Sequence, residues 1–379
     1  MAKVKKSGDV EKSEQGGKIT IQQMRELINK KAGNIVAWNL NEENPSDISD
    51  FVSFGSHIVD CISIGGRLGS IPVGRVVELA GLESTGKSYL AAQAAREFQK
   101  KGYTVVYFDS EMALDASFLE KSGCDTNSII YIPATSLEFV LETIENILSE
   151  TTKVFFVLDS FAFCPCATEL EGNFDPNSQI GTKARIMARG LSKILQPLSN
   201  TQSTFLVVNQ LKTNLVIGPM ARVAMQTEPY ITNGGKSLGY SYSARFWLTR
   251  SKAKSAQIRD QFNNIVGCNV KLTMKKSRFG TEGRSCELKI LWGADEVRVN
   301  DEESWFEILC EAGLIEGAAW RKIMLNGEEI KFRTADWESL LKERPEIATW
   351  AKQNVEDLLI NKGKQAGEQT DLYSDLHGE

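Results

Sequence analysis

The motif Gly81-Leu82-Glu83-Ser84-Thr85-Gly86-Lys87-Ser88 is the strongest local signal in this chain. It matches the phosphate-binding loop G-x-x-x-x-G-K-[ST] in full, after a predicted strand at Val73–Gly81 and before a helix that opens near Lys87. The glycines let backbone N–H groups surround phosphate oxygens, and the helix N-terminus adds partial positive charge. Lys87 reaches the terminal phosphates, and the Ser88 hydroxyl binds Mg²⁺. We predict a nucleotide site formed by Gly81, Glu83, Ser84, Thr85, Gly86, Lys87, Ser88 and Tyr89.

Carboxylates end two further predicted strands. Asp159 ends the apolar run Val154–Leu158, and a carboxylate there is costly unless a partner pairs with it. Mg²⁺ beside the phosphate loop is such a partner, whereas the alternative is an aspartate that caps the next helix. Asp109 and Glu111 end the strand that follows the phosphate-loop helix, so either is a candidate to orient the attacking water. Their spacing does not choose between them.

Strands and helices alternate through the middle of the chain. The predicted strands of this region are 73–81, 103–110, 129–133, 154–159 and 203–210, with further strands at 244–250, 270–275 and 286–292. Helices are predicted between them, including 180–198 and a helix with Leu137, Val140 and Ile144 on one face. This alternation predicts an α/β fold, in which a mostly parallel twisted sheet carries helices on both faces.

The two ends of the chain differ from this core in composition. We expect 1–49 to form a polar arm with a short helix near Ile21–Lys31, and 50–293 to form the core. Asn326-Gly327 lies between two short strands and predicts a hairpin. Together with helices at 304–313, 335–341 and 346–359, this hairpin predicts a small α+β domain at 294–362. An acidic flexible tail is expected at 363–379.

The composition excludes several function classes. The 379 residues carry 44 Lys plus Arg against 49 Asp plus Glu, a net charge of −5, which argues against a protein that binds nucleic acid over its whole surface. No apolar run approaches the roughly 18 residues of a spanning helix, and the charged N-terminus lacks a signal core. We therefore expect a cytoplasmic protein with no membrane partner.

Histidine and cysteine usage narrows the site chemistry further. With His57 and His377 as the only histidines, the chain has almost no material for a Ser/His/Asp triad or a histidine-ligated metal. The close pair Cys164 and Cys166 suggests a redox or metal site, but reduced, buried structural thiols are favoured. No histidine-based or cysteine-based metal site is therefore predicted.

Basic residues are concentrated in one internal segment. Residues 176–259 carry twelve basic side chains and a single acid, Glu228, whereas the remaining chain carries 32 basic and 48 acidic residues. An acidic protein with one basic segment suggests a localised polyanion site. A basic subunit interface is the alternative.

These motifs together resemble the RecA family. The resemblance rests on GLESTGKS at 81–88, YFDSEMALD at 107–115, VLDSFAF at 157–163, VVNQ at 207–210, NGGKSLGYSYSAR at 233–245 and the C-terminal WFEILCEAGLI. It covers roughly residues 50–362 and implies a RecA-type P-loop ATPase core. It implies an ATP-dependent DNA recombinase that forms helical filaments on single-stranded DNA, pairs it with homologous double-stranded DNA and catalyses strand exchange. The divergence from bacterial members suggests a bacteriophage member of the UvsX kind, in the cytoplasm of its host.

The resemblance also implies roles for individual residues. Glu111 matches the glutamate that activates water, and Gln210 matches the glutamine that senses the terminal phosphate of ATP. Asp115 and Phe118 match positions that contact adenine. Lys276 and Arg278 match cations that reach the ATP of the neighbouring protomer, with an ordinary solvated pair as the alternative.

DNA binding is implied for two loops, 171–179 and 211–233. Arg185 matches a family DNA contact, and Arg189 and Lys193 follow it at four-residue spacing, which places the three on one helix face. In and after the second loop, the candidates are Lys212, Arg222, Gly234, Gly235 and Lys236. Phosphate contacts by such residues suit a protein that accepts any sequence.

Departures from the family pattern keep alternatives open. The second loop is longer than in bacterial members, and Ser192 stands where they usually carry Arg. The N-terminal arm is expected to pack on the next subunit. A ring helicase or a non-catalytic mediator that loads another recombinase are the competing functions, and a single-strand-binding protein and a mediator are the expected protein partners.

Overall fold

The computed structural model describes residues 19–42, 44, 46–63, 69–171, 181–215, 223, 227–250, 256–292 and 297–374, with the backbone alone at 236, 237 and 361–374. The chain divides into two compact units, one ending at Asp47 and the other beginning at Ile48.

The first unit contains helix α1, Ile21–Ala32, where the sequence predicts a helix. A capping box forms its N-terminus, because Thr20 Oγ1 accepts from the Gln23 N–H and Gln23 Oε1 accepts from the Thr20 N–H. Gly33, with φ of 72°, ends the helix in the left-handed conformation. Within the described part of the chain no residue of α1 is buried, so its caps, rather than core packing, define this helix.

The second unit is built on a mixed, mostly parallel sheet. The strands of the unit up to the C-terminal hairpin are β1 (Phe51–Val52), β2 (Ile71–Pro72), β3 (Val76–Gly81), β4 (Thr104–Asp109), β5 (Ile129–Pro133), β6 (Val154–Asp159), β7 (Thr204–Thr213), β8 (Tyr230–Thr232), β9 (Ala244–Thr249), β10 (Gln257–Arg259), β11 (Ile265–Ser277), β12 (Ser285–Trp292) and β13 (Val297–Val299). Across the main sheet the order is β13-β12-β11-β9-β3-β7-β6-β4-β5. From β9 to β5 all neighbours are parallel, and β11, β12 and β13 extend the sheet antiparallel. The predicted α/β class is confirmed.

Helices cover both faces of the parallel strands. They are α2 (His57–Ser63), α3 (Lys87–Lys100), α4 (Ala116–Lys121), α5 (Leu137–Glu150), α6 (Ala167–Glu171), α7 (Thr182–Asn200) and α8 (Gly235–Ser241). Alternate residues of β6 face opposite sides: Phe155 and Val157 join the core with α3, and Phe156 and Leu158 join the core with α5 and α7. The apolar run of β6 is continuous because both of its faces are buried.

The C-terminal part has its own apolar cluster. It contains α9 (Asp301–Glu311), β14 (Arg321–Leu325), β15 (Glu328–Phe332), α10 (Trp337–Glu343) and α11 (Pro345–Ser374). The hairpin turns at Asn326-Gly327, as the sequence predicts, with φ of 51° and 85°. Pro345 is the first residue of α11, and this helix runs beyond the predicted end at 359.

The burial of the close cysteine pair and the lengths of the apolar helices can be compared with the sequence. Cys164 and Cys166 are both buried, as structural thiols are. Among the residues that the structure describes, no helix is long and apolar enough to cross a membrane.

Gly190 offers a test of the packing between α5 and α7. A Cβ at this position would lie 2.4 Å from Leu141 Cδ1 and 2.6 Å from Leu141 Cδ2. Alanine in a helix interior is ordinarily about 1 kcal/mol better than glycine. Here the overlap reverses that sign, and we expect Gly190→Ala to lower the free energy of unfolding by about 1–3 kcal/mol.

Chemical denaturation of the native protein and the variant measures this difference. Ser192→Ala is the matched control, because Ser192 is exposed on the same helix and its hydroxyl donates only to the Ala188 carbonyl oxygen. The prediction is wrong if Gly190→Ala is as stable as the control.

Candidate nucleotide site and DNA-binding surface

The phosphate loop joins β3 to α3 and is held by its own side chains. Thr85 Oγ1 donates to the Leu82 carbonyl oxygen at 2.8 Å, and Lys87 Nζ donates to the same oxygen at 2.9 Å. Gly86 has φ of 82°, and a Cβ there would lie 2.5 Å from Ile290 Cδ1. The left-handed backbone at this position therefore favours glycine, and any side chain would also have to displace the Ile290 methyl group.

The charge of Lys87 is set against burial. Burial lowers the pKa of Lys87, and the carboxylates of Asp159, Glu111 and Glu83 oppose that shift. A partly desolvated cation at a helix N-terminus, with carboxylates around it, is suited to bind phosphate together with a metal ion. Glu83 and Ser84 are exposed on the same loop.

Asp159 lies at the end of β6, beside the start of α3. Its carboxylate accepts from the Tyr107 hydroxyl at 3.0 Å, and Asp159 and Ser88 line the same cavity. Burial raises the pKa of Asp159, and the hydroxyl groups of Ser88 and Tyr107 oppose the shift. Ser88 and Asp159, which the sequence predicts as the metal-binding pair, therefore lie beside one cavity.

Tyr107 is a site residue that sequence reasoning missed. It lies two residues before Asp109 on β4, in register with Val157 of β6, and its ring is fully buried. From the sequence alone, a tyrosine in an apolar strand is interpreted as a core residue. Only the strand register shows that its hydroxyl reaches Asp159. The signal that could have found it is a tyrosine within a strand of otherwise apolar residues beside a strand that ends in aspartate.

The structure separates the two carboxylates that spacing left open. Asp109 is buried, and it accepts from the Glu111 N–H and the Leu114 N–H, both at 2.9 Å, and from the Tyr131 hydroxyl at 3.3 Å. It therefore holds the turn after β4. Glu111 is exposed, and its Oε1 accepts a 2.8 Å hydrogen bond from Ser160 Oγ.

A cavity of about 190 Å³ lies at this edge of the sheet. Its lining residues are Ser88, Tyr107, Asp109, Glu111, Ala113, Leu114, Phe118 and Asp159. Phe118 thus contributes an aromatic ring to the cavity. Asp115, in contrast, uses its side chain to cap α4, accepting from the Ser117 N–H at 3.2 Å.

One predicted side chain points elsewhere. Tyr89 belongs to the predicted nucleotide set, but its ring is buried in the core and its hydroxyl donates to the Val297 carbonyl oxygen at 2.8 Å. The prediction is corrected for the side chain, because helical periodicity turns Tyr89 toward the sheet, away from the loop.

Gln210 lies beside the phosphate loop. In the β3–β7 ladder Gln210 is the partner of Gly81. The strand continues past its predicted end at Gln210, because residues Leu211–Thr213 pair with β8. Asn214 extends this ribbon by donating its N–H to the Pro229 carbonyl oxygen at 2.8 Å. Both stems of the second loop are therefore part of one antiparallel ribbon that grows out of β7.

The three predicted basic side chains lie on the surface of α7, and one of them has an acidic neighbour. Arg185, Arg189 and Lys193 are all exposed. Lys193 lies 3.4 Å from the Glu145 carboxylate of α5, a neighbour that the sequence of the basic segment does not show. Arg185 Nη2 donates to the hydroxyl of Thr182 at 3.2 Å.

The remaining DNA candidates are described in part. Lys212 is exposed on β7, and Gly234 and Gly235 have φ of 91° and 71° at the start of α8. Arg222 lies outside the described residues, as do nearly all of the first predicted loop and the middle of the second. The side chain of Lys236 also lies outside them.

Lys276 and Arg278 lie at the C-terminal end of α8. Lys276 Nζ donates to the carbonyl oxygens of Gly239, Tyr240 and Tyr242 at 2.8, 3.1 and 2.8 Å. Arg278 Nη2 donates to the Tyr240 carbonyl oxygen at 3.2 Å. Both cations therefore lie against the carbonyl end of that segment within the chain, with Lys276 half-buried and Arg278 exposed.

The fold and this edge of the sheet define a P-loop ATPase with a doubly covered α/β core. The family model for the RecA N-terminal domain matches residues 19–296. Curated relatives are RecA proteins: that of Mycoplasma genitalium is 28% identical over 352 residues (89% of this chain, 97% of the relative). That of Mannheimia haemolytica is 29% identical over 340 residues (88% and 85%), and that of Chlorobaculum tepidum 29% over 336 residues (88% and 91%).

The chain belongs to the RecA family. It is an ATP-dependent recombinase, and its enzymatic activity is DNA-dependent ATP hydrolysis.

The contact between Tyr107 and Asp159 generates a test of the predicted magnesium site. Tyr107→Phe removes one hydrogen-bond donor from a buried carboxylate and leaves the ring in place. Groups that orient a metal ligand are typically worth about tenfold or more in metal affinity. We expect about a tenfold rise in the Mg²⁺ concentration needed for half-maximal binding of a fluorescent ATP analogue.

Tyr131→Phe is the control for this experiment. It also removes a hydroxyl from a neighbouring strand, but that hydroxyl contacts Asp109. An equal Mg²⁺ requirement in the native protein and Tyr107→Phe would show that the phenol does not orient Asp159.

Proposed function

We propose that the cavity beside the phosphate loop binds ATP with Mg²⁺, and that Glu111 activates the water that attacks the terminal phosphate. The observation that carries this proposal is the difference between Asp109 and Glu111. Asp109 accepts three hydrogen bonds around the turn, whereas in the part of the chain that the structure describes the Glu111 carboxylate is exposed at the cavity and accepts from Ser160 alone. A general base needs a free carboxylate oxygen within reach of water.

The oxygen donors at this edge fit a magnesium ion. A hydroxyl from Ser88 and a carboxylate from Asp159 line the wall of one cavity, and Mg²⁺ prefers such hard oxygen ligands together with phosphate oxygens and water. When bound, the ion would neutralise the charge that develops on the phosphates. Lys87 would hold the terminal phosphates of ATP, and Phe118 would contact its adenine ring. Asp115 would hold the start of α4 beside the adenine.

We further propose that Gln210 senses the terminal phosphate. Its place opposite Gly81 supports this, because the β7 backbone passes next to the loop that surrounds the phosphates. Lys276 and Arg278 would reach the ATP of the neighbouring protomer in a helical filament, so that assembly and hydrolysis depend on each other. The arm 1–49 would pack on the next subunit.

Replacing Glu111, the proposed general base, distinguishes this mechanism of ATP hydrolysis from the competing functions. Removing a general base typically costs about 10²–10⁴ in rate, so we expect Glu111→Gln to lose that factor in DNA-stimulated ATP hydrolysis while it retains ATP binding. Steady-state ATPase rates with and without single-stranded DNA measure the loss.

Glu142→Gln is the control, since Glu142 is exposed on α5. A Glu111→Gln variant that hydrolyses ATP at the native rate would remove Glu111 from the role. Native hydrolysis that is indifferent to DNA would point to a mediator or another oligomeric ATPase.

DNA binding is proposed for the α7 stripe and the two loops that flank it. The exposed guanidinium groups of Arg185 and Arg189 support phosphate contacts by this helix face. Lys212 extends the basic surface onto the ribbon of the second loop, and Arg222, Gly234, Gly235 and Lys236 would add contacts there. Single-stranded DNA would lie along this surface in the filament, and homologous double-stranded DNA would be paired with it.

The ionic neighbour of Lys193 makes the stripe testable. Each lost phosphate contact on a single strand lowers the slope of log K against log salt by about 0.7. We expect the double variant Arg185→Gln/Arg189→Gln to lower the slope by about 1.4, as measured by fluorescence anisotropy with single-stranded DNA. Lys193→Gln should change it less, because Glu145 already pairs with that ammonium. Equal slopes in all three proteins would place the DNA elsewhere.

We also propose that the chain is a bacteriophage recombinase of the UvsX kind, acting in the host cytoplasm with a single-strand-binding protein and a mediator. Identities of 28–29% with the bacterial relatives support this. Filament assembly that a phage mediator accelerates on DNA coated with phage single-strand-binding protein would agree with it. Assembly that responds only to bacterial partners would contradict it.

A further inference from the structure

A buried polar cluster lies inside the sheet, away from the phosphate cavity. Glu78, in the middle of β3, is 1% exposed, and buried carboxylates are rare unless they are paired. Arg245 of β9 donates from Nε to Glu78 Oε2 at 2.5 Å. Asn209 of β7 donates from Nδ2 to Glu78 Oε1 at 3.0 Å. The carboxylate therefore joins both strands that flank β3.

The same two partners hold the return end of the second loop. Arg245 Nη2 donates to the Thr232 hydroxyl at 2.9 Å. Asn209 Nδ2 donates to the Asn233 carbonyl oxygen at 3.1 Å. Thr232 is the last residue of β8. The chain leaves the main sheet just after Asn209, and after the loop it returns next to the cluster formed by Asn209 and Glu78.

Asn209 also contacts the backbone of Gln210. The Gln210 N–H donates to Asn209 Oδ1 at 2.9 Å. The Asn209 amide thus uses its oxygen toward Gln210 and its nitrogen toward Glu78 and Asn233. Because the side chain is fully buried, a displacement of the Gln210 backbone cannot be absorbed by rotation of this amide without breaking its other hydrogen bonds.

Packing fixes the guanidinium of Arg245. Its Cζ lies 5.9 Å from the centre of the Tyr242 ring and 5.6 Å from the centre of the Trp247 ring. Gly239 leaves room for it, since a Cβ there would lie 3.0 Å from Nη1. The Arg245 side chain is therefore held in one place relative to both the sheet and α8.

We propose that Asn209, Arg245 and Thr232 are positioning residues that couple the nucleotide state at Gln210 to the return end of the second loop. This rests on the proposed function, in which Gln210 senses the terminal phosphate and the second loop binds DNA. None of the three acts on ATP. They make the DNA affinity of the loop depend on the nucleotide, because both stems of the loop are tied to the strand that carries Gln210.

The Thr232 hydroxyl gives the mildest test of this coupling. Thr232→Val keeps the shape of the side chain but removes the acceptor of the Arg245 bond. The affinity for single-stranded DNA is measured by anisotropy with ADP and with a slowly hydrolysed ATP analogue. We expect the ratio of the two dissociation constants to fall about fivefold, through weaker binding in the ATP-analogue state. A merely structural loss would weaken binding in both states alike.

Thr104→Val is the control. Thr104 is an exposed threonine at the start of β4, outside the second loop, where it pairs with Val154, and its replacement should leave the ratio at the native value. A Thr232→Val ratio equal to that of the control would overturn the proposal.

Arg245→Lys gives a second, independent reading. A lysine keeps a positive charge opposite Glu78, but an ammonium does not reproduce the guanidinium fork that joins Glu78 to Thr232. The ratio should fall as it does in Thr232→Val, and the double variant should show no further fall, since both changes break the same link. Additive losses would contradict the link.

The native protein separates a failure of this inference from a failure of the proposed function. If the native protein bound DNA equally in both nucleotide states, the proposed function itself would be wrong. If the native ratio is large and Thr232→Val preserves it, only the coupling role of the cluster is wrong.

Discussion

The hydrogen-bond register of the parallel strands β3, β4, β6 and β7 is the constraint on which the site depends. Gly81 at the end of β3 pairs with Gln210, and Asp109 at the end of β4 pairs with Asp159. A shift of one residue in either ladder would turn these side chains to the opposite faces of the sheet. A shift of β6 would exchange Phe155 and Val157 of one core with Phe156 and Leu158 of the other, and closely packed cores tolerate such changes of side-chain shape poorly. Core packing therefore helps to set the geometry of the nucleotide site.

Surroundings, rather than residue type, distinguish the three carboxylates at this edge. Asp109 is enclosed by hydrogen-bond donors and maintains the turn. Asp159 is half-buried and accepts from the Tyr107 hydroxyl, beside the cavity that Ser88 also lines. Glu111 follows the turn and remains exposed with one hydroxyl neighbour. Similar groups within one short stretch of the sheet edge are thus held in three different environments, one enclosed, one half-buried and one exposed.

Charged side chains are paired inside the sheet and exposed to solvent on its helices. Inside, Glu78 is paired with Arg245 and Asn209, because an unpaired buried charge would be strongly destabilising. Outside, Arg185 and Arg189 are exposed, and even the pair of Lys193 with Glu145 contributes little to stability in water. The interior charges are therefore suited to fix the relation between strands and loop, and the exterior charges are suited to contact a polyanion.

Local patterns in the sequence were sufficient for much of this protein. The phosphate loop, the α/β alternation, the turn at Asn326-Gly327 and the helix stripe at Arg185 each depend on residues close in sequence, where turn geometry and side-chain periodicity act. They could be predicted because the physics that produces them is local. The resemblance added the choice of Glu111, which spacing alone did not make.

Other features required the packed chain. The hydroxyl of Tyr107 on Asp159, the burial of Tyr89, the Glu145 partner of Lys193 and the tie of Thr232 to Arg245 all join residues from different elements. No periodicity marks such pairs. They exist because strand register and helix packing bring distant side chains within hydrogen-bond distance, and those are properties of the whole core rather than of any one segment.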